Sequence, residues 1–162
     1  LSTRSGIGYD SHRLVGGRRL LLGGVELPAE RGLDGHSDAD VLAHAVTDAL
    51  LGAAGLGDIG QHFPDSDERY RDADSLVLLA DALATVRAAG FELVNVDTTV
   101  LMEQPKLGPA REAIRASLAG VLGLGVADVN VKATTGEGIG FVGRGEGVAA
   151  LAIVTLTQRA DG

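Results

Sequence analysis

The sequence predicts one α/β domain over residues 1–162, a two-layer sandwich with helices packed on one face of a mixed β-sheet. Three observations carry this prediction. Strand-like and helix-like segments alternate with no long linker between them. The helical segments, each on the order of four turns, end at glycines, and the first bears a wide apolar stripe. Apolar residues make up 45% of the 162, enough to build a core without disulfides.

The elements follow in order. SGIGYDSHRL reads as a strand running into a loop. RRLLLGGVELP reads as a strand pair joined or bulged at Gly23-Gly24. Ser37 or Asp38 is placed to cap a helix through ADVLAHAVTDALLGAAG, which stops at Gly55. Its stripe is Val41, Leu42, Ala45, Val46, Ala49, Leu50 and Ala53. LGDIGQHFPDSDERYRDAD is a polar loop with room for one helical turn. SLVLLADALATVRAAG is a second helix ending at Gly90, and FELVNVDTTVLMEQ a strand. GPAREAIRASLAGVLG is a third helix with Pro109 in its first turn. VNVKATT is a strand, GEGIGFVGRGEG a loop, and VAALAIVTLTQ the last strand.

Composition excludes several functions. A net charge of -8 argues against a polyanion-binding surface. Three Phe, two Tyr and no Trp argue against a base-stacking platform, so no nucleic-acid partner is expected. No apolar run approaches the ~20 residues of a membrane span, and LSTRSGIGYD has no signal-peptide apolar region. We read the chain as soluble and cytoplasmic, with no membrane partner. There is no cysteine, which removes thiolate chemistry and every Cys-type zinc site. Any metal here is held by nitrogen and oxygen.

GYDSHRL and GHSDADVLAHAVTDALLG hold three of the four histidines, set among carboxylates. Asp10 and His12 are two apart in a strand, so they share a face. His44 lies on the first helix, with Asp40 and Asp48 at i-4 and i+4. One O and two N ligands with an open position describe a catalytic zinc site, and a flanking carboxylate would orient the imidazole. Histidines in ordinary hydrogen bonds would give the same short motifs, and nothing in the sequence brings strand and helix together. Both readings stand at this point.

Twelve of the fourteen basic residues are arginines, and the two lysines are Lys106 and Lys132. Chance and codon bias explain this as well as a need for compact point charges. KATTGEGIGFVGRGEG is richer, with six glycines around Thr134, Thr135, Glu137, Arg144 and Glu146. Its backbone could turn N–H groups onto an anion, and Glu137 could hold a hard divalent cation. A tight loop into the last strand is an equal reading. GLGDIGQHFPDSD, read singly, is a polar loop.

Taken together, GYDSHRL, GHSDADVLAHAVTDALLGAAGLGDIGQHFPDSD, QPKLGP and VNVKATTGEGIGFVGRGEG closely resemble the 2-C-methyl-D-erythritol 2,4-cyclodiphosphate synthase family. The match spans nearly the whole chain in order, and HSDAD with GRGEG is its most specific pair. The resemblance implies cyclisation of 4-diphosphocytidyl-2-C-methyl-D-erythritol 2-phosphate with release of CMP, in the non-mevalonate isoprenoid pathway. It implies a homotrimer with active sites between subunits, the single-function form, and a cytidine diphosphate-type substrate.

The resemblance also implies roles. Asp10, His12 and His44 hold one Zn²⁺ per subunit. His36 and Ser37 meet the diphosphate and transition state, His36 as a catalytic residue. Asp58, Ile59 and Gly60 hold the methylerythritol part, with Phe63, Pro64, Asp65, Ser66 and Asp67 close by. Met102, Glu103, Gln104, Pro105, Lys106, Leu107 and Gly108 line the cytidine pocket. Thr134, Thr135, Gly136 and Glu137 contact the CDP phosphates. Thr135 is the stabilising catalytic hydroxyl, and Glu137 also meets a Mg²⁺ or Mn²⁺ bridging the phosphates. Phe141 and Arg144 complete the ligand contacts, Arg144 facing the trimer axis. The chain departs from the family at Gly136, often a third Thr, and at Gly138, often a larger residue. A looser phosphate loop is expected there.

Two other readings compete. A zinc-dependent phosphohydrolase would share the metal and the phosphate loop but would use water and open the product. A non-enzymatic metal- or isoprenoid-phosphate-binding module would use the glycine-rich loop as a sensor.

Overall fold

A computed structural model describes residues 2–159. The chain runs β1 (Thr3–Gly16), β2 (Leu20–Leu22), β3 (Val25–Leu27), β4 (Arg31–Leu33), α1 (Val41–Ala54), the short α2 (Ile59–His62) and α3 (Ser75–Ala88). It continues through β5 (Phe91–Leu101), α4 (Arg111–Leu122), β6 (Val129–Thr134), the short α5 (Gly140–Gly143) and β7 (Gly147–Gln158). Five strands form a mixed sheet in the order β4-β1-β7-β5-β6, with only β5 and β6 parallel, joined through α4. β2 and β3 form a separate hairpin. The predicted α/β architecture is therefore observed, with a mixed sheet.

The core lies between the sheet and the helices. Leu42, Val46 and Leu50 of α1, Leu79 and Leu83 of α3, and Ile114 and Leu118 of α4 are buried against Val96, Val148, Val154 and Leu156. Along β1 burial alternates, so Gly6, Gly8, Asp10 and His12 face the helices while Ile7 and Tyr9 face away. Across the register Ile7 opposes Ile153 and Tyr9 opposes Leu151. Ile7, Tyr9 and Ile153 are 68%, 53% and 49% exposed, so the helix-free face carries an apolar patch.

Three boundaries differ from the sequence reading. β1 does not end near His12 but runs to Gly16, because β7 pairs with it through Arg13 and β4 with its last residues. α1 is capped by Asp40, not by Ser37 or Asp38. The Asp40 carboxylate accepts the Ala43 N–H at 3.0 Å, and it also accepts those of Gly23 and Gly24 at 2.9 and 2.7 Å. Both glycines have positive φ, as a two-residue hairpin turn requires, so one buried carboxylate locks the β2–β3 hairpin to the helix start. The third helix begins with a 3-10 turn at Gly108–Ala110, and its α-helical part starts at Arg111. Among the described residues, no helix is long and apolar enough to cross a membrane.

Candidate functional site

Small residues bring strand and helix together. A β-carbon on Gly6 would lie 2.1 Å from the Ala49 carbonyl oxygen, and one on Gly8 1.8 Å from that of Ala45. β1 and α1 thus touch backbone to backbone, and the next residues along each, Asp10 with His12 and His44, meet at the end of that contact.

Asp10 Oδ2 lies 2.8 Å from His12 Nε2 and 3.0 Å from His44 Nδ1, and the two ring nitrogens are 3.2 Å apart. Tetrahedral ligands at about 2.0–2.2 Å from zinc would sit roughly 3.3 Å from one another. The triad is therefore close to the spacing a divalent metal needs, and it is a site where such an ion could be held. Burial pushes the Asp10 carboxyl up, but the His12 and His44 rings outweigh it and bring it down to about 2. Burial also opposes charge on His12, yet the Asp10 carboxylate raises it above the ordinary histidine value. His12 Nδ1 donates to the Asp34 carbonyl at 2.8 Å, which leaves Nε2 to face Asp10 and His44.

Asp40 and Asp48, expected beside His44, do not orient it. Asp40 turns into the hairpin, as described, and Asp48 accepts the Ile59 N–H at 3.0 Å, pinning α2. The ring's other nitrogen instead faces two hydroxyls, Ser75 Oγ at 2.7 Å and Ser37 Oγ at 3.2 Å. Ser75 carries no local motif. It opens α3, 31 residues from His44, and only the packing of α3 on α1 brings it there.

The triad lines one wall of a cleft of about 420 Å³. His36, Ser37, Ile59, Gly60, Phe63, Pro64 and Asp65 line it too, joined by Gly35, Tyr70 and Leu78, which the sequence did not single out. The Phe63 ring meets Tyr70 edge-on at 5.4 Å. His36 Nε2 donates to the Asp67 carbonyl at 3.1 Å, so Asp67 holds His36 through its backbone. Asp58 caps α2 by accepting the Gln61 N–H, and Ser66 is exposed.

Neither the 102–108 segment nor residues 134–137 line this cleft. Met102 and Leu107 are buried in the core, whereas Gln104 and Lys106 are exposed. Gln104 and Pro105 border a separate depression with Leu14 and Arg31. The Glu103 carboxylate accepts the Gly136 N–H and ties that segment to the glycine-rich loop. Thr134 donates to the Thr135 carbonyl at 3.3 Å. Thr135 Oγ1 donates to Glu137 at 3.3 Å and accepts the Glu137 N–H at 3.2 Å. Phe141 lines another hollow with Ser11 and His12, and Arg144 pairs with Glu146 at 3.0 Å.

Of the two departures, the loop is closely packed at Gly136, whereas a β-carbon on Gly138 would meet nothing within 4 Å. A β-carbon on Gly136 would lie 2.6 Å from the Gly143 nitrogen, and one on Gly143 2.3 Å from the Gly138 carbonyl carbon. The backbone closes on itself where a threonine would not fit. Lys132, one of the two lysines, pairs with Asp97 at 2.6 Å.

A family model described as the YgbB family matches residues 3–157. A 2-C-methyl-D-erythritol 2,4-cyclodiphosphate synthase from Bordetella petrii is 59% identical over 155 residues, 96% of each chain. The bifunctional IspDF from Campylobacter jejuni superimposes with a TM-score of 0.94 at 47% identity, over 99% of this chain and 43% of that one. This chain thus spans less than half of that longer protein. A 2C-methyl-D-erythritol-2,4-cyclodiphosphate synthase solved in a CDP-bound form gives a TM-score of 0.88 at 42% identity, covering 95% of this chain and 100% of that one.

Proposed function

This chain belongs to the YgbB family, and on that premise we propose that it is an enzyme converting 4-diphosphocytidyl-2-C-methyl-D-erythritol 2-phosphate into 2-C-methyl-D-erythritol 2,4-cyclodiphosphate and CMP. In this reading an oxygen of the 2-phosphate attacks the β-phosphorus of the diphosphate. The bond from that phosphorus to the bridging oxygen breaks, and the electron pair leaves with CMP. The observation that carries the reading is the convergence of Asp10, His12 and His44 in the cleft, in a chain 59% identical to a named synthase.

Asp10, His12 and His44 would hold one Zn²⁺ per subunit, and Glu137 a Mg²⁺ or Mn²⁺ with the diphosphate. Such cations act as Lewis acids and hold phosphoryl oxygens in place. The rest falls to the chain. Asp34 sets the His12 ring, and Asp67 sets the ring of His36, which lines the cleft, through Nε2. Ser37 adds a hydroxyl beside His44. The 58–67 segment walls the methylerythritol part from water. Thr135 would donate to the charge that develops on the attacked phosphoryl group. Holding both phosphoryl groups of one molecule in line supplies most of the rate.

The 102–108 and 134–137 segments would take the cytidine and its phosphates from a neighbouring subunit of a homotrimer. Two observations support this. Those segments lie outside the cleft of their own chain. The apolar patch of Ile7, Tyr9 and Ile153 on the helix-free face is suited to burial against further copies of the chain. The similarity to a synthase solved with CDP supports a cytidine diphosphate-type ligand.

Phosphorus NMR of the product tests the reaction. Equal amounts of cyclic diphosphate and CMP are expected. An open phosphomonoester would overturn it in favour of a hydrolase, and unchanged substrate with bound ligand in favour of a binding module.

A further inference from the structure

Resting on the reading of Asp10, His12 and His44 as a metal site, we propose that Ser75 and Asp38 form a positioning relay that holds His44 with its proton on Nε2 and its Nδ1 lone pair toward the metal. Ser75 is fully buried at the start of α3. Its single hydroxyl proton has one strong acceptor, Asp38 Oδ1, in a short hydrogen bond. Among the described residues the Asp38 carboxylate is hydrogen-bonded by three donors, Ser75 Oγ, the Ser75 N–H at 3.0 Å and the Asp40 N–H at 3.1 Å. With its proton committed to Asp38, Ser75 Oγ can only accept from His44 Nε2 at 2.7 Å.

The direction matters because Asp10 pulls the other way. His44 Nδ1 lies 3.0 Å from the Asp10 carboxylate, which by itself would draw a proton onto the nitrogen that should bind metal. An acceptor fixed on Nε2 opposes this, orients the ring and makes Nδ1 the better ligand. Ser37 is the weaker partner. It stands 3.2 Å from Nε2, and its other contacts are the Ala39 N–H and Ser75 rather than a carboxylate. It has no fixed proton direction with which to set a tautomer.

The test measures the zinc dissociation constant, by competition with a chromophoric chelator, and the His44 Nε2–H signal of zinc-loaded, 15N-histidine-labelled protein. Wild type should show a His44 Nε2–H protected from exchange. Ser75→Ala should weaken zinc about tenfold or more and lose that protection. Ser75→Thr, which keeps the hydroxyl, should recover much of both, and Ser37→Ala should change neither by more than about twofold. The wild-type spectrum needs no variant to fold, and an unprotected Nε2–H there overturns the relay. So does wild-type zinc affinity in Ser75→Ala when His44→Ala has lost its zinc; the metal reading then stands without the relay. If wild type binds no zinc, or His44→Ala keeps it, the metal reading falls and the relay with it.

Discussion

Gly8 of β1 lies so close to Ala45 of α1 that a β-carbon on the glycine would be 1.8 Å from the alanine carbonyl oxygen. This contact sets the distance between strand and helix, and so places His44 against Asp10 and His12. Gly8→Ala is expected to push the two backbones apart. Overpacking against backbone costs about 3 kcal/mol, a fall in Tm on the order of 10 °C. Zinc affinity should fall with it. A variant with wild-type Tm and zinc affinity would show that the glycine is not what sets the spacing.

Thr135→Ala is expected to lower turnover far more than substrate affinity. The hydroxyl sits beside Glu137 in the glycine-rich loop, and its proposed task is at the charge developing in the transition state. A donor of that kind is worth ~3 kcal/mol, or roughly 100-fold in kcat. Steady-state kinetics decide the matter. An unchanged kcat with a raised KM would make Thr135 a simple binding contact.

Mixed assemblies test the proposal that each active site is shared between subunits. His44→Ala chains and chains carrying Lys106→Ala with Glu137→Ala should each be inactive when refolded alone. Refolded together, a minority of interfaces would pair an intact metal group with an intact cytidine group, and part of the wild-type rate should return. Mass spectrometry establishes that mixed trimers formed. If they did and no activity returned, each site would lie within one chain.

Asp97 gives a pH signature. Its partial burial raises the carboxyl, but hydrogen bonds from Lys132 and Asn130 outweigh this and hold it below the usual carboxylate range. A carboxyl lowered on folding adds stability above its unfolded value of about 3.9, and that stability is lost as pH falls through the folded value. Lys132→Met should therefore cost no more than about 1 kcal/mol at pH 7, since both partners are partly exposed. The difference should shrink as pH falls from about 5 to about 3. Urea melts of wild type and variant that stay parallel across that range would contradict the assignment.

The periodic features of the chain were legible in its sequence. The 3.6-residue stripe of Val41, Leu42, Ala45 and Val46 announced α1, and the Gly23-Gly24 pair announced a hairpin turn. Gly55 and Gly123 announced helix ends and have the positive φ expected there. These are local matters, set by sterics within a few residues. The order and spacing of the motifs was enough to mark a family, and the YgbB match bears that out.

Boundaries and partners were less legible. Asp38, Asp40 and Ser37 all have side chains able to cap α1, and local chemistry does not choose among them. Packing chose Asp40, because the β2–β3 turn offers it two further N–H groups while Ser75 occupies Asp38. The polar run Ser11-His12-Arg13 hid the continuation of β1, since its hydrogen bonds come from β7 and β4 rather than from its own pattern.

By itself, then, the sequence determined the secondary structure wherever period and turn chemistry act, and it determined the set of metal-ligating residues available to a chain without cysteine. The tertiary structure shows how Asp10, His12 and His44, which the family resemblance had grouped, converge, and it alone decided that Asp40 faces the hairpin instead of His44 and that Ser75 stands behind the ring. The physical reason is separation along the chain. Residues 31 to 34 positions apart meet only when two elements pack. Here the packing distance is set by glycines and alanines, whose missing side-chain atoms leave room for backbone to meet backbone.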